Sequence, residues 1–271
     1  MKKLLLILLC LPLLTLAQQT YVPDDNFEAY LEANGMGNFM ANDDYVTTAN
    51  INTVTNLNIP SLAITDLTGI EDFTALTELM CSSNPLTSLD VTQNLALRNF
   101  NCRDNQLTSL DVSQNTALTQ LRCSSNQLTS LDITQNTALN SLFCDDNQLT
   151  SLDVSQNTSL TFLLCYSNQL TSLDSRNGNN QNTWNFGASN NPLLTCINVD
   201  DVSYSTTNWT DIDTQHYFST NCPPPSAIQE HSSNKELLKV TDLLGRETKQ
   251  TNQPLIYIYD DATVEKKITI D

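Results

Sequence analysis

LTQLRCSSNQLTSLDITQNTA (118–138) is followed at once by LNSLFCDDNQLTSLDVSQNTS (139–159). The two stretches hold their leucines, a cysteine, an asparagine and an Asp-Ile/Val pair at matching places. The same frame sets Cys81, Cys102, Cys123, Cys144 and Cys165 21 residues apart. A fixed period near 20 residues marks a solenoid, in which each unit buries its apolar face only against its neighbours. Within one unit, Leu121 and Cys123 flank Arg122, so a three-residue strand points two side chains inward and one outward. Asn126 then turns the chain, and its amide can satisfy backbone groups of its own and the adjacent coil. Leu128, Leu131 and Ile133 fill the rest of the coil's core. The stretch 132–137 is too short and polar for a full α-helix, so a turn or 3₁₀ connection is expected on the convex side.

In register the units read L-x-x-L-x-C-x-x-N-x-L, here Leu118, Leu121, Cys123, Asn126 and Leu128. This resembles the leucine-rich repeat, with Cys at an inward position where Leu is more usual. Seven units are marked by Leu62, Asn84, Asn105, Asn126, Asn147, Asn168 and Asn191. The resemblance covers 54–196 and implies a short right-handed horseshoe with a parallel β-sheet on its concave face. Seven strands about 4.8 Å apart make a sheet roughly 30 Å long. Residues 18–53 read as an N-terminal cap. Asp24 or Asp25 is placed to cap a helix through Phe27, Tyr30 and Leu31, with Gly35 as its stop. The segment 197–222 reads as the opposite cap, closed by Trp209 and Tyr217.

The first 17 residues, MKKLLLILLCLPLLTLA, have a basic start, an apolar run and a small-residue cleavage site. They read as a signal peptide, too short in its apolar run for a spanning helix. Leu9 before Cys10 is not the small residue a lipid-anchor signal needs. No later segment is apolar enough to span a membrane. The whole chain carries 12 Lys+Arg against 30 Asp+Glu, a net charge of −18. Such a field repels phosphate backbones and anionic lipid, so neither nucleic acid nor membrane insertion is expected.

Residues 223–230 form a Pro-rich linker beginning Pro223-Pro224-Pro225-Ser226, and a lysine-bearing tail of 231–271 follows. Its apolar positions Leu238–Val240, Ile256–Ile258 and Ile268–Ile270 suggest a small β unit, with turns at Leu244-Gly245 and Asp260-Asp261. Asp242-Leu243-Leu244-Gly245-Arg246, Tyr257-Ile258-Tyr259 and Glu265-Lys266-Lys267-Ile268 are similar to the later part of the C-terminal sorting domain of the Bacteroidetes type IX secretion system. That resemblance implies export across the outer membrane, followed by release or attachment at the cell surface.

The ladder cysteines point the same way into a packed core, so they read as small buried hydrophobes. No CxxC or paired His suggests a metal among them. Cys196 and Cys222 lie outside the ladder, and a disulfide between them suits an exported protein. A column of Asp90, Asp111, Asp132, Asp153 and Asp174 lies outside the sheet. Hydrogen bonds to turn N–H groups are the simpler offset for this stacked charge, and calcium bridging is the alternative. No cofactor is otherwise implied.

The outward strand positions gather Phe143, Phe162, Leu164 and Tyr166 on neighbouring strands, with Arg98, Arg103 and Arg122 beside them. Apolar and aromatic side chains next to Arg are the composition of an interaction hot spot. Only His216 and His231 occur, no Ser-His-Asp or metal-ligand spacing is seen, and the adjacent Asp pairs are not poised across a cleft. The expectation is a non-catalytic, exported binding protein acting in protein–protein interaction or adhesion at the cell surface. A polysaccharide binder, stacking sugars on Tyr166, Phe162 and Trp184, is the alternative.

Overall fold

The computed structural model describes residues 18–223 and three further strands, 237–241, 255–259 and 264–267. The expected signal peptide 1–17, most of the expected linker 223–230, His231 and the two expected tail turns lie outside the described residues. The chain divides into two compact units, Met1–Pro224 and Pro225–Asp271.

The first unit opens with β1 (Gln19–Tyr21), α1 (Asp25–Ala33), β2 (Tyr45–Thr47) and α2 (Thr48–Ile51). β1 and β2 pair antiparallel. One oxygen of Asp24 caps α1, accepting from the Asn26 and Phe27 N–H groups at 3.0 Å each. The other accepts from the Thr65 N–H and hydroxyl at 2.7 Å each, tying the cap to the first coil. Burial opposes ionisation of Asp24, but these bonds outweigh it and hold the carboxyl below its usual range. Gly35, at φ +71°, follows the helix end in the left-handed conformation that glycine accepts at little cost. Phe27 and Leu31 face inward, fully buried.

The solenoid then lays down β3 (Asn56–Asn58), β4 (Glu78–Met80), β5 (Asn99–Asn101), β6 (Gln120–Arg122), β7 (Ser141–Phe143), β8 (Ser151–Asp153), β9 (Phe162–Leu164), β10 (Ser172–Asp174), β11 (Asn185–Gly187) and β12 (Cys196–Asn198). Next come α3 (Val202–Asn208) and β13 (Tyr217–Ser219). Seven of these strands form one parallel sheet in the order β3-β4-β5-β6-β7-β9-β11. Asp211 pairs with Gly187 as an eighth, single-residue rung. Every rung repeats one register, so Leu57, Leu79, Phe100, Leu121, Leu142, Leu163 and Phe186 stack along the buried face. The five ladder cysteines lie beside them with no exposure. Burial pushes Cys81 up to about 12, and raises the other four thiols as well.

The convex side departs from the expectation of turns alone. β8, β10, β12 and β13 form a second parallel sheet of four strands over the last coils. The earlier convex segments are turns, as anticipated.

Two asparagine columns hold the coils together. Asn126 donates through Nδ2 to the Cys102, Cys123 and Ser124 carbonyls, and its Oδ1 accepts from the Leu107 N–H at 3.0 Å. Asn84, Asn105, Asn147, Asn168 and Asn191 make the same kind of bonds in their own coils. The second column, Asn94, Asn115, Asn136 and Asn157, is fully buried and donates to carbonyls of the preceding coil.

At the far end Trp209 closes the core, stacked on Phe186 with Phe218 edge-on to it. The expected partner Tyr217 is instead 45% exposed, because on a strand of period two its neighbour Phe218 takes the inward place. Cys196 and Cys222 are joined by a disulfide with Cα atoms 5.7 Å apart.

The second unit is an antiparallel sheet of β14 (Leu237–Thr241), β15 (Leu255–Tyr259) and β16 (Val264–Lys267), with β15 central. The first two strands hold the expected positions. The third runs over 264–267, and Ile268–Ile270 lie outside the described residues.

Candidate functional site on the concave sheet

The outward positions of the seven-stranded sheet form rows across the strands. One row runs Met80, Asn101, Arg122, Phe143, Leu164 and Gly187. A second runs Glu78, Asn99, Gln120, Ser141, Phe162 and Asn185. Each aromatic on these rows is placed by a strand whose alternate residues fill the core, so its ring has no inward route.

The rings meet. Phe143 and Phe162 have centroids 4.5 Å apart, and Phe162 meets Trp184 edge-on at 5.0 Å. The Arg122 guanidinium stands 4.9 Å over the Phe143 ring, a cation–π contact. Trp184 is 71% exposed, the largest apolar surface on this face. It precedes its strand by one residue, in an irregular coil, so counting from the cysteines leaves it out of the hot spot, and it was expected only as a sugar-stacking ring beside Tyr166 and Phe162.

Tyr166 lies beside this group but is less open than its position suggests. Burial and the neighbouring Asp145 carboxylate push its phenol up to about 12. Asp145 is itself buried and accepts from the Ser124 hydroxyl at 2.7 Å. Ser124, Asp145 and Tyr166 each follow a ladder cysteine on successive coils, and there serine, carboxylate and phenol fold onto one another instead of lying open.

The arginines separate. Arg122 belongs to the aromatic group. Arg103 is paired instead with its neighbour Asp104 at 3.0 Å. Arg98 is exposed on the row that ends at Trp184, and backbone bonds through Thr119, Asn140 and Thr161 set it four rungs away. At about 4.8 Å per rung that is roughly 19 Å from Trp184 and about 10 Å from the Phe143 coil, with Arg98 one coil beyond Arg122 on the N-terminal side of the rings.

At the C-terminal edge, Gly187 leaves room for Asp211. A Cβ at Gly187 would come within 2.7 Å of an Asp211 carboxylate oxygen and 3.0 Å of the Leu164 side chain. The Asp211 carboxylate therefore lies over the glycine, on the concave face, at the end of the Arg122–Phe143–Leu164 row.

The convex Asp column is satisfied locally. Asp90, Asp111, Asp132, Asp153 and Asp174 each accept from the N–H two residues on in their own turn. Three other carboxylates converge in the N-terminal cap, where ligand oxygens of Asp25, Glu28 and Asp44 lie within 4.8 Å of one another. Glu28 is buried, which raises its carboxyl pKa. The sequence reading did not single out this group, because its members are brought together by the loop after α1. Among the described residues no helix is long and apolar enough to cross a membrane.

This architecture, a parallel-strand solenoid of about eight turns with an inward Leu and Cys and an Asn at each corner, is that of a leucine-rich-repeat horseshoe. The chain is similar to internalin J of Listeria monocytogenes, 38% identical over 74 residues, a match spanning 27% of this chain and 8% of internalin J. Internalin C2 of the same species superposes with a TM-score of 0.53 at 21% identity, over 75% of this chain and 97% of that one. The functional domain of InlJ, which includes a cysteine ladder, matches at 29% identity and a TM-score of 0.35, over 74% and 61% of the two chains. No protein-family model matches the chain.

Proposed function

We propose that this is an exported, non-catalytic binding protein whose concave aromatic group captures a protein partner at the bacterial cell surface. The observation that carries the reading is the contiguous run of Arg122, Phe143, Phe162 and Trp184 on a rigid parallel sheet. Exposed aromatic rings beside an arginine combine large contact area with little conformational entropy to lose on binding. Likeness to the internalins supports a binding scaffold. The apolar leader, the Cys196–Cys222 disulfide and the three-stranded tail support export, with the tail read as a type IX sorting signal. The exported protein is then released or attached.

The test is capture of surface proteins by immobilised full chain, compared with Phe143→Ser plus Tyr166→Ser and with Phe143→Ser plus Trp184→Ser. Both variants should keep the far-UV spectrum and lose the captured partner. Unchanged capture by both removes the concave rings from the reading. A second reading, polysaccharide binding, is favoured by the exposure of Trp184 alone, and a glycan array separates it from the first.

A further inference from the structure

The concave row is asymmetric in charge. Its register places Arg122, Phe143, Leu164 and Gly187 on one line across β6, β7, β9 and β11. At one end the Arg122 guanidinium is exposed and forms no ion pair among the described residues. At the other end the exposed Asp211 carboxylate covers Gly187. Between them lie only a phenyl ring and a leucine. Residues 18–223 contain no lysine and four arginines, and Arg103 and Arg176 are already paired with aspartates. Arg122 is therefore a cation kept unpaired on an apolar surface of a strongly acidic chain.

We propose that this row selects an extended peptide segment carrying an acidic side chain at one end, apolar side chains in the middle and a basic side chain at the other. The inference rests on the binding reading above and adds the chemistry of the ligand. Three rung spacings separate Arg122 from Gly187, about 14 Å. An extended chain rises about 3.3 Å per residue, so the ligand's two charges sit about four residues apart. The ligand crosses the strands, and the contacts that position it are made by side chains. A neutral sugar can hydrogen-bond to Arg122 and Asp211 but carries no charge to set against either. An acidic glycan meets Arg122 favourably but runs into Asp211 and the net charge of −18.

The test uses the full chain and capped, Trp-free pentapeptides of the form acid–Leu–Leu–Phe–base, read by tryptophan emission. Trp209 is buried beneath Phe186, so a change on binding reports Trp184. Peptides with Glu at one end and Lys at the other should bind about tenfold tighter at low salt than versions with Glu at both ends or Lys at both. Each exchange turns one exposed attraction into a repulsion, a change on that order, and the preference shrinks as salt rises. Arg122→Glu should shift the preference to the Lys-Lys peptide, and Asp211→Lys to the Glu-Glu peptide. Both positions face solvent, and unchanged circular dichroism confirms that both variants fold. Equal affinity for all charge patterns, lost in Phe162→Ser, overturns the charge selection while leaving the apolar site in place. Absence of peptide binding overturns the inference as well. If partner capture also ignores the Phe143 and Trp184 substitutions, the binding reading falls with it. Saturable binding of oligosaccharides in place of peptides assigns the rings to sugar.

Discussion

Trp209 lies flat on Phe186, ring centroids 4.0 Å apart and planes 7° from parallel. Phe186 is the last side chain of the buried row, so Trp209 occupies the place that the next coil's row residue would otherwise take. Its indole N–H reaches the Thr183 carbonyl at 3.2 Å, so the ring is satisfied as well as packed. Trp209→Ala should cost about 3–5 kcal/mol, the range for removing a buried large aromatic. Thermal or urea denaturation measures it, and a loss below about 1 kcal/mol would show that the end of the solenoid is closed by something else.

The corner asparagine makes a sharper demand. Asn126 faces three carbonyl oxygens with its amide nitrogen and one N–H with its oxygen. Asn126→Asp sets a carboxylate against three carbonyls, so the folded state favours its protonated form and raises its pKa. A raised pKa is stabilising at low pH and lost as pH rises through the folded value. The variant should therefore lie closer to wild-type stability at pH 4 than at pH 7, whereas Asn126→Leu should show no such dependence. Denaturation midpoints at the two pH values decide it.

The buried thiols predict an alkaline limb. Burial raises all five above the ordinary value of 9.0, Cys81 and Cys123 to about 12. The folded state holds protons that the unfolded chain releases, so this contribution is complete below pH 9 and is lost as pH climbs toward 12. Tyr166 acts in the same direction between about 10 and 12. A variant with alanine at all five ladder positions should show a flatter stability profile from pH 9 to 12. In the wild type, a thiol reagent at pH 8 should leave the ladder unmodified until denaturant is added.

Reducing Cys196–Cys222 opens a loop of 26 residues, a cross-link that is ordinarily worth about 3 kcal/mol. The bridge starts on β12 and ends just past β13, so the loss should be local. Hydrogen exchange after reduction should speed up in β12, α3 and β13 while the coils from 56 to 143 keep their protection.

The repeated frame made most of this architecture legible in advance. Leu121, Cys123 and Asn126 each have one environment in every coil, so local sequence and tertiary role coincide. The convex sheet was not legible, for a definite reason. Ser-Leu-Asp occurs at 88–90, 109–111, 130–132, 151–153 and 172–174, yet only the last two copies are strands. Identical tripeptides differ because β12 and β13 extend the pairing at that end, a tertiary effect that no local reading contains. At the site, counting outward from the cysteines found Phe143, Phe162 and Leu164. It placed Arg103 with the rings because the count took each strand position singly and left out the adjacent Asp104, which holds the guanidinium. It also missed Asp211, which reaches the row from a loop with no repeat register of its own.

The Asn126 bonds to the neighbouring coils recur rung after rung with the same partners. Copy number is therefore a separable variable. Duplicating one 21-residue unit would add a rung whose every internal bond already has a template above and below it. Deleting one would leave a junction of the same kind. Recombination between such similar segments can lengthen or shorten the scaffold in whole steps of about 4.8 Å without a new folding problem to solve. Inserting a copy of a different coil between Arg122 and Phe143 would pull the cation off its ring by one rung, while a duplication between Cys81 and Cys102 would leave the recognition row intact and move it away from the N-terminal cap.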